Sequence, residues 1–242
     1  MPKIVNKARS FYLGSLSLAG NINSLNIDHT APEVEVTNFA SSGNSEYLGG
    51  IAKHTWGFEG FWEAAGSLGD PDAELRSRIG LTNTATATLA NPAVAGDVAY
   101  FSSGLTTKYD MGGSIGAAAR MSMSLTGTDA LVRGRVIETV TRTSTGNSAA
   151  YQLGAVSATQ RLFVAVHVIA ASGTLDLLIT SDNAEGFPSA TTRFTVPQFT
   201  AIGSYYSATT AGAITDDWYR VQATVGGGSP SFQYIVSLGI AT

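Results

Sequence analysis

The chain has no cysteine and only three histidines among its 242 residues. The missing thiols exclude a disulfide framework, thiolate catalysis and any cysteine-bound zinc site. His29, His54 and His167 stand far apart and in no metal-ligand spacing, so each reads as a surface or strand residue. Charge is scarce too: 13% of residues, against roughly a quarter in ordinary globular chains. Disorder goes with high charge and low apolarity, and 44% of this chain is apolar. The net charge of −4 does not suit a DNA-coating surface, which wants a basic stripe. The longest apolar run, near 162–171, is too short to span a bilayer. The opening MPKIVNKARSFYLGSL has basic residues but no apolar core, so no signal peptide is expected. No N-x-S/T acceptor occurs. The expectation is a soluble protein kept inside a cell, without cofactor, metal or membrane insertion.

What is present is strand pattern. HTWGFEGFWEA, residues 54–64, reads with a period of two. Trp56, Phe58 and Trp62 then share one face, and Thr55, Glu59 and Phe61 the other. Aromatics suit a pleated, half-buried surface, so a core strand is the simpler reading and a ligand-stacking platform the lesser one. Alternation recurs in SLNIDH, EVEVTNF, RMSMSL, LFVAVHVIA and LDLLI. YRVQATV and FQYIVSLGI flank GGGSP, which predicts a terminal hairpin. Many short strands with small polar residues between them predict a mainly β chain, sandwich or barrel.

GDPDAELRSRIG predicts one short helix over about 70–80. Asp70 is the N-cap and Pro71 the first helical residue, with Asp72 and Glu74 early and Arg76 and Arg78 late. Gly80 is the stop. Leu75 and Ile79 are expected in a core. TRTSTGNSAA, residues 141–150, reads as a linker between a domain 1–140 and a C-terminal β-sandwich domain 151–242.

Chemistry is thin. GGSIG places Ser114 in a G-x-S-x-G pattern, but strand alternation follows it where a nucleophile elbow needs a helix. Asp216–Asp217 reads as a solvated turn. Asp182, Asn183 and Glu185 match no calcium spacing. No phosphate-binding glycine motif occurs. An enzyme is not expected. The segment 37–54 is more informative: a long Gly/Ser/Asn loop carrying Phe39, Tyr47, Leu48 and Ile51. A purely solvated loop has no need of these groups, and exposed apolar groups mark contact sites.

Taken in order, SLNIDHTAPEVEVTNF, EYLGGIAKHTWGFEGFWEA, the helix opening at DPDAEL and ARMSMSLTGTDALVRGRV resemble the major tail tube proteins of long, non-contractile-tailed bacteriophages. The resemblance covers residues 10–140, and its shortest motifs are Phe58–Glu63, Asp70–Ile79 and Arg133–Val136. It implies a tail-tube β fold with an extra C-terminal β domain. It implies homo-hexameric rings stacked into a hollow tube, in the virion tail after assembly in the host cytoplasm. Double-stranded DNA would pass through the lumen into the host without specific binding. Tape-measure, tail-tip and tail-terminator proteins would be partners. The loop 37–54 would reach the next ring through Asn38, Phe39, Glu46, Tyr47, Leu48 and Ile51. Trp56, Phe58, Trp62, Leu75 and Ile79 would form the core of the tube fold, and Glu33, Glu35 and Glu59 would face the lumen. A carbohydrate-binding module is the alternative, with Tyr205, Tyr206, Trp218 and Tyr219 as stacking groups.

Overall fold

The computed structural model describes residues 9–38, 40–41, 44–62 and 71–242. The chain is mainly β with one short helix. The order begins β1 (Phe11–Leu13), β2 (Leu16–Ser17), β3 (Ile22–Thr30), β4 (Glu33–Glu35), β5 (Tyr47–Gly49) and β6 (Lys53–Phe61). The helix α1 (Pro71–Ser77) follows, then β7 (Thr82–Thr88), β8 (Val98–Gly112), β9 (Arg120–Gly127) and β10 (Val132–Arg142). The rest is β11 (Gly146–Asn147), β12 (Tyr151–Gln152), β13 (Arg161–Asp182), β14 (Thr191–Phe199), β15 (Gly203–Ala208) and β16 (Trp218–Ala241). Among the described residues the strands close no barrel, and no helix is long and apolar enough to cross a membrane.

Two compact units form from interleaved segments. One takes the chain up to Asn21, Thr82–Ser103 and Asp129–Thr242. The other takes Ile22–Leu81 and Gly104–Thr128.

The larger unit is built on β13 and β16, antiparallel from Arg161↔Ala241 to Asp182↔Trp218. Residues 162–168 are buried without a break, as a strand covered on both faces should be. Leu162, Val164, Val166 and Val168 enter one core with Tyr219, Phe232, Tyr234 and Val236. Phe163 and Ala165 enter a second with Tyr12, Phe101, Val132 and Ile235.

The expected hairpin at GGGSP does not form. Residues 218–241 are one strand, and both halves pair with β13. The residues 227–230 are accommodated as an irregularity opposite Gly173, because Ser172 pairs with Ser231 and Thr174 with Gly226. Gly173 has φ 93°, Gly227 has φ 113°, and a Cβ on Gly173 would lie 2.3 Å from the Gly226 carbonyl oxygen. Glycine there permits a close, left-handed bend shared by both strands.

Residues 141–150, read as a linker, run beside β16. Gly146 and Asn147 pair with Ala223 and Gln222. The Val221 N–H donates to Ser148 Oγ (2.9 Å) and the Val225 N–H to Thr145 Oγ1 (3.1 Å). Small polar side chains here complete the ladder of a neighbouring strand, which composition alone cannot distinguish from loop.

The smaller unit holds the antiparallel order β3–β6–β9–β8. The register sets Ile27, Trp56 and Leu125 side by side, and likewise Leu25, Phe58 and Met123. Trp56, Phe58, Met121, Met123 and Leu125 are buried, so this face forms the core.

Candidate functional site

The clearest site is an arm. Within the described residues β4 and β5 pair only with each other, in the register Glu33↔Gly49, Val34↔Leu48 and Glu35↔Tyr47. The Gly50 N–H donates to the Pro32 carbonyl (2.6 Å), and the Val36 N–H to the Glu46 carbonyl (2.9 Å). At the tip Thr37 Oγ1 donates to Glu35 Oε1 (2.8 Å) and accepts from the Glu46 N–H (3.0 Å). Asn38 Oδ1 accepts from the Ala40 N–H (2.8 Å), making a tight Asx turn. Phe39 lies outside the described residues.

Strand alternation gives the arm two faces. Glu33, Glu35 and Tyr47 lie on one, Val34 and Leu48 on the other. Its apolar groups are open to solvent: Tyr47 at 55%, Leu48 at 61% and Ile51 at 91% exposure. This is the arrangement expected of a surface that meets another chain.

A second exposed face lies on β3–β6–β9–β8, opposite the buried aromatics. By register Ser24, Glu59, Ser122 and Asp110 form one row, and Asp28, Thr55 and Thr126 another. Most of the side chains in these rows are small and polar, while Lys53, Phe61, Leu105 and Arg120 share the same face and Lys108 pairs with Asp110. Glu59 belongs to this face. Glu33 and Glu35, expected beside it, belong to the arm's separate sheet.

The five expected core residues divide. Trp56, Phe58 and Leu75 are buried. Trp62 (38% exposed) and Ile79 (46%) are not. Trp62 falls beyond the end of β6 and so leaves the strand alternation. Its indole N–H donates instead to Asp72 Oδ1 (2.9 Å), and the Tyr109 hydroxyl donates to the same oxygen. Those bonds, Tyr109 first and Trp62 second, hold the Asp72 carboxyl below its ordinary value. Ile79 follows the last helical residue, Ser77. Asp70, the expected N-cap, lies outside the described residues. The helix otherwise matches its sequence pattern, with Glu74 paired to Arg78 at 3.4 Å.

The weaker candidates resolve simply. Ser114 lies in the turn between β8 and β9, and no helix follows it. Asp182 is buried and caps its own loop, accepting from the Ala184 and Ser189 N–H groups (3.1 and 2.7 Å). Asp216 accepts from Ser181 Oγ (2.7 Å) and Arg193 Nη2 (2.8 Å), and these, Ser181 foremost, hold its carboxyl low. No group of three or more His, Cys, Asp or Glu placed to hold a metal occurs among the described residues. The stacking aromatics of the carbohydrate reading divide: Tyr219 is fully buried, and Tyr205, Tyr206 and Trp218 are half-buried. Tyr206 packs on Phe101 and Phe163 with its hydroxyl on the Ala130 carbonyl.

One cluster escaped the sequence. Glu138 is buried and paired to Arg142, while the Tyr234 hydroxyl donates to Glu138 Oε2 (2.8 Å) and accepts from Arg142 Nε (3.0 Å). The i, i+4 spacing of Glu138 and Arg142 is visible, but nothing local announces Tyr234, 96 residues away.

No protein-family model and no curated protein matches the chain. Solved structures do. A protein of the virion of a native gene transfer agent particle is 19% identical, with TM-score 0.42, over 54% of this chain and 98% of its own. A protein of the tail of an empty gene transfer agent particle, refined helically with C6 symmetry, is 17% identical, with TM-score 0.37, over 47% of this chain and 81% of its own. The Dit protein of phage SPP1, described as a hub adsorption apparatus, is 10% identical, with TM-score 0.40, over 98% of this chain and 100% of its own.

Proposed function

We propose that this chain is a structural protein of a phage-type virion tail, and that it assembles with itself into stacked, hexameric rings forming a hollow tube. The observation that carries the proposal is the β4–β5 arm. A two-stranded ribbon exposing Val34, Tyr47, Leu48 and Ile51 has no use in a solitary molecule and an evident one between copies. The ordered motifs between residues 10 and 140 supply the rest, since they resemble tail tube proteins.

In this reading the sparse polar face of β3–β6–β9–β8 lines the lumen. Its acids Asp28, Glu59 and Asp110 are matched in number by Lys53, Lys108 and Arg120, so the face carries no basic excess to hold phosphate and the polymer slides without binding. Trp56 and Phe58 support that wall from behind. The role is architectural, and tape-measure, tail-tip and terminator proteins are the partners it implies.

The test is negative-stain electron microscopy of the purified chain, with its solution mass over a concentration series. Rings or hollow tubes are expected. A chain that stays monomeric at every concentration, even after seeding by a tail-tip complex, would sink the proposal.

A further inference from the structure

Arg133 and Arg135 are two like charges set side by side on one strand. Both are exposed on β10, two residues and therefore roughly 7 Å apart along the strand. Among the described residues neither takes part in an ion pair. They flank Gly134 in an open, mostly polar groove of about 240 Å³ whose other walls include Gln152 and the apolar side chains of Val98, Leu153 and Ile240. Two guanidiniums at strand spacing with a few apolar side chains beside them fit an extended, acidic segment. That segment should carry two carboxylates at the same spacing.

The chain carries such a segment. Glu33 and Glu35 are also two residues apart on a strand and exposed, and Tyr47 stands across from Glu35 on the same face. We propose that the Arg133–Arg135 groove of one copy receives the β4–β5 arm of a second copy, Glu33 and Glu35 meeting the two arginines and Tyr47 meeting those apolar side chains. This rests on the reading of the arm as a link between copies, and it names the acceptor. The two surfaces differ, so the contact is heterologous: it closes into a ring or runs on along a tube according to the rotation between copies.

Two charge reversals test it. E33R/E35R makes the arm basic against a basic groove. R133E/R135E makes the groove acidic against an acidic arm. All four residues are exposed, so each variant should keep the wild-type melting temperature. Each alone should raise the concentration needed for rings by at least about tenfold, because like charges are brought together. An equimolar mixture should assemble again, since every arm then finds a groove of opposite sign on the other variant. The four-fold variant should assemble by itself.

Unchanged assembly of R133E/R135E, with wild-type rings present, would overturn the acceptor and leave the tube standing. Rescue in the four-fold variant but not in the mixture would overturn it too, by placing the contact within one chain. Loss of duplex DNA binding in R133E/R135E with normal assembly would make the groove a polyanion site instead. A wild-type chain that never assembles would remove both this contact and the tube.

Discussion

His167 Nδ1 lies 2.7 Å from the carbonyl oxygen of Gly14, 153 residues earlier in the chain, and its Nε2 lies 2.7 Å from Thr86 Oγ1. A carbonyl only accepts, so Nδ1 carries a proton and donates to Gly14, while Nε2 shares a hydrogen bond with the Thr86 hydroxyl. The imidazole is fully buried. It fastens the β1–β2 turn and β7 to the middle of β13.

H167F keeps an aromatic ring, slightly enlarges it and removes both bonds. It leaves the Gly14 carbonyl and the Thr86 hydroxyl without this partner. Each such group costs about 1–3 kcal/mol. Urea unfolding should show a lower midpoint with an unchanged slope, and an unaltered midpoint would mean that water replaces the ring.

Trp56 and Trp62 should behave in opposite ways. Trp56 is fully buried, so W56A should cost about 3–5 kcal/mol and yield insoluble protein. W62A removes a partly exposed ring and one hydrogen bond to Asp72, a loss of about 1 kcal/mol. Soluble yield and thermal melts distinguish them. A folded W56A would return the aromatic strand to the ligand-platform reading.

G173A tests the shared bend of β13 and β16. An alanine at φ 93° carries strain of roughly 1–3 kcal/mol, and its Cβ would press on the Gly226 carbonyl at 2.3 Å. The melting temperature should fall clearly. G212A, at a position with open space around it, is the control and should change little.

Alkaline pH should unfold the protein through its tyrosines. Burial pushes the Tyr219 hydroxyl up to about 12, and it raises those of Tyr206 and Tyr234 as well. Below pH 10 both folded and unfolded chains keep these protons, and the folded state loses nothing. Between pH 10 and 12 the unfolded chain releases them first, so stability falls as pH rises. Tyrosinate absorbance should therefore appear together with loss of the β circular dichroism. Y219F should flatten the pH dependence of stability in that window.

Much of the fold can be read from periodicity. The burial of β6 alternates as HTWGFEGF predicts, and the helix forms where its charges place it but ends at Ser77, short of Arg78 and Gly80. The failures share one physical cause. GGGSP is a turn by local chemistry and TRTSTGNSAA reads as a linker, yet Gly226 and Ser231 around the first and Gly146 and Asn147 within the second pair with strands far away in sequence. Glycine content cannot tell a hairpin from a bend that two strands share. Trp62 kept the two-residue spacing but lies past the end of the strand, where that spacing no longer sets a face. The arm was legible because apolar residues in a polar loop are locally anomalous. The pairing of Glu138 with Tyr234 was not, because its partners meet only through the sheet.

The central place of β16 also fixes when the protein can exist. It is the final strand of the chain order, and β10, β11, β12 and β13 all pair with it. While the ribosome is still making residues 218–241, those four strands have an empty middle lane, and Val164, Val166 and Ile137 face water. The smaller unit, Ile22–Leu81 with Gly104–Thr128, has all its strands long before that. Contacts that must wait for distant sequence form slowly and leave apolar surface uncovered meanwhile. The strands of the smaller unit are thus complete in the chain before those of the larger one.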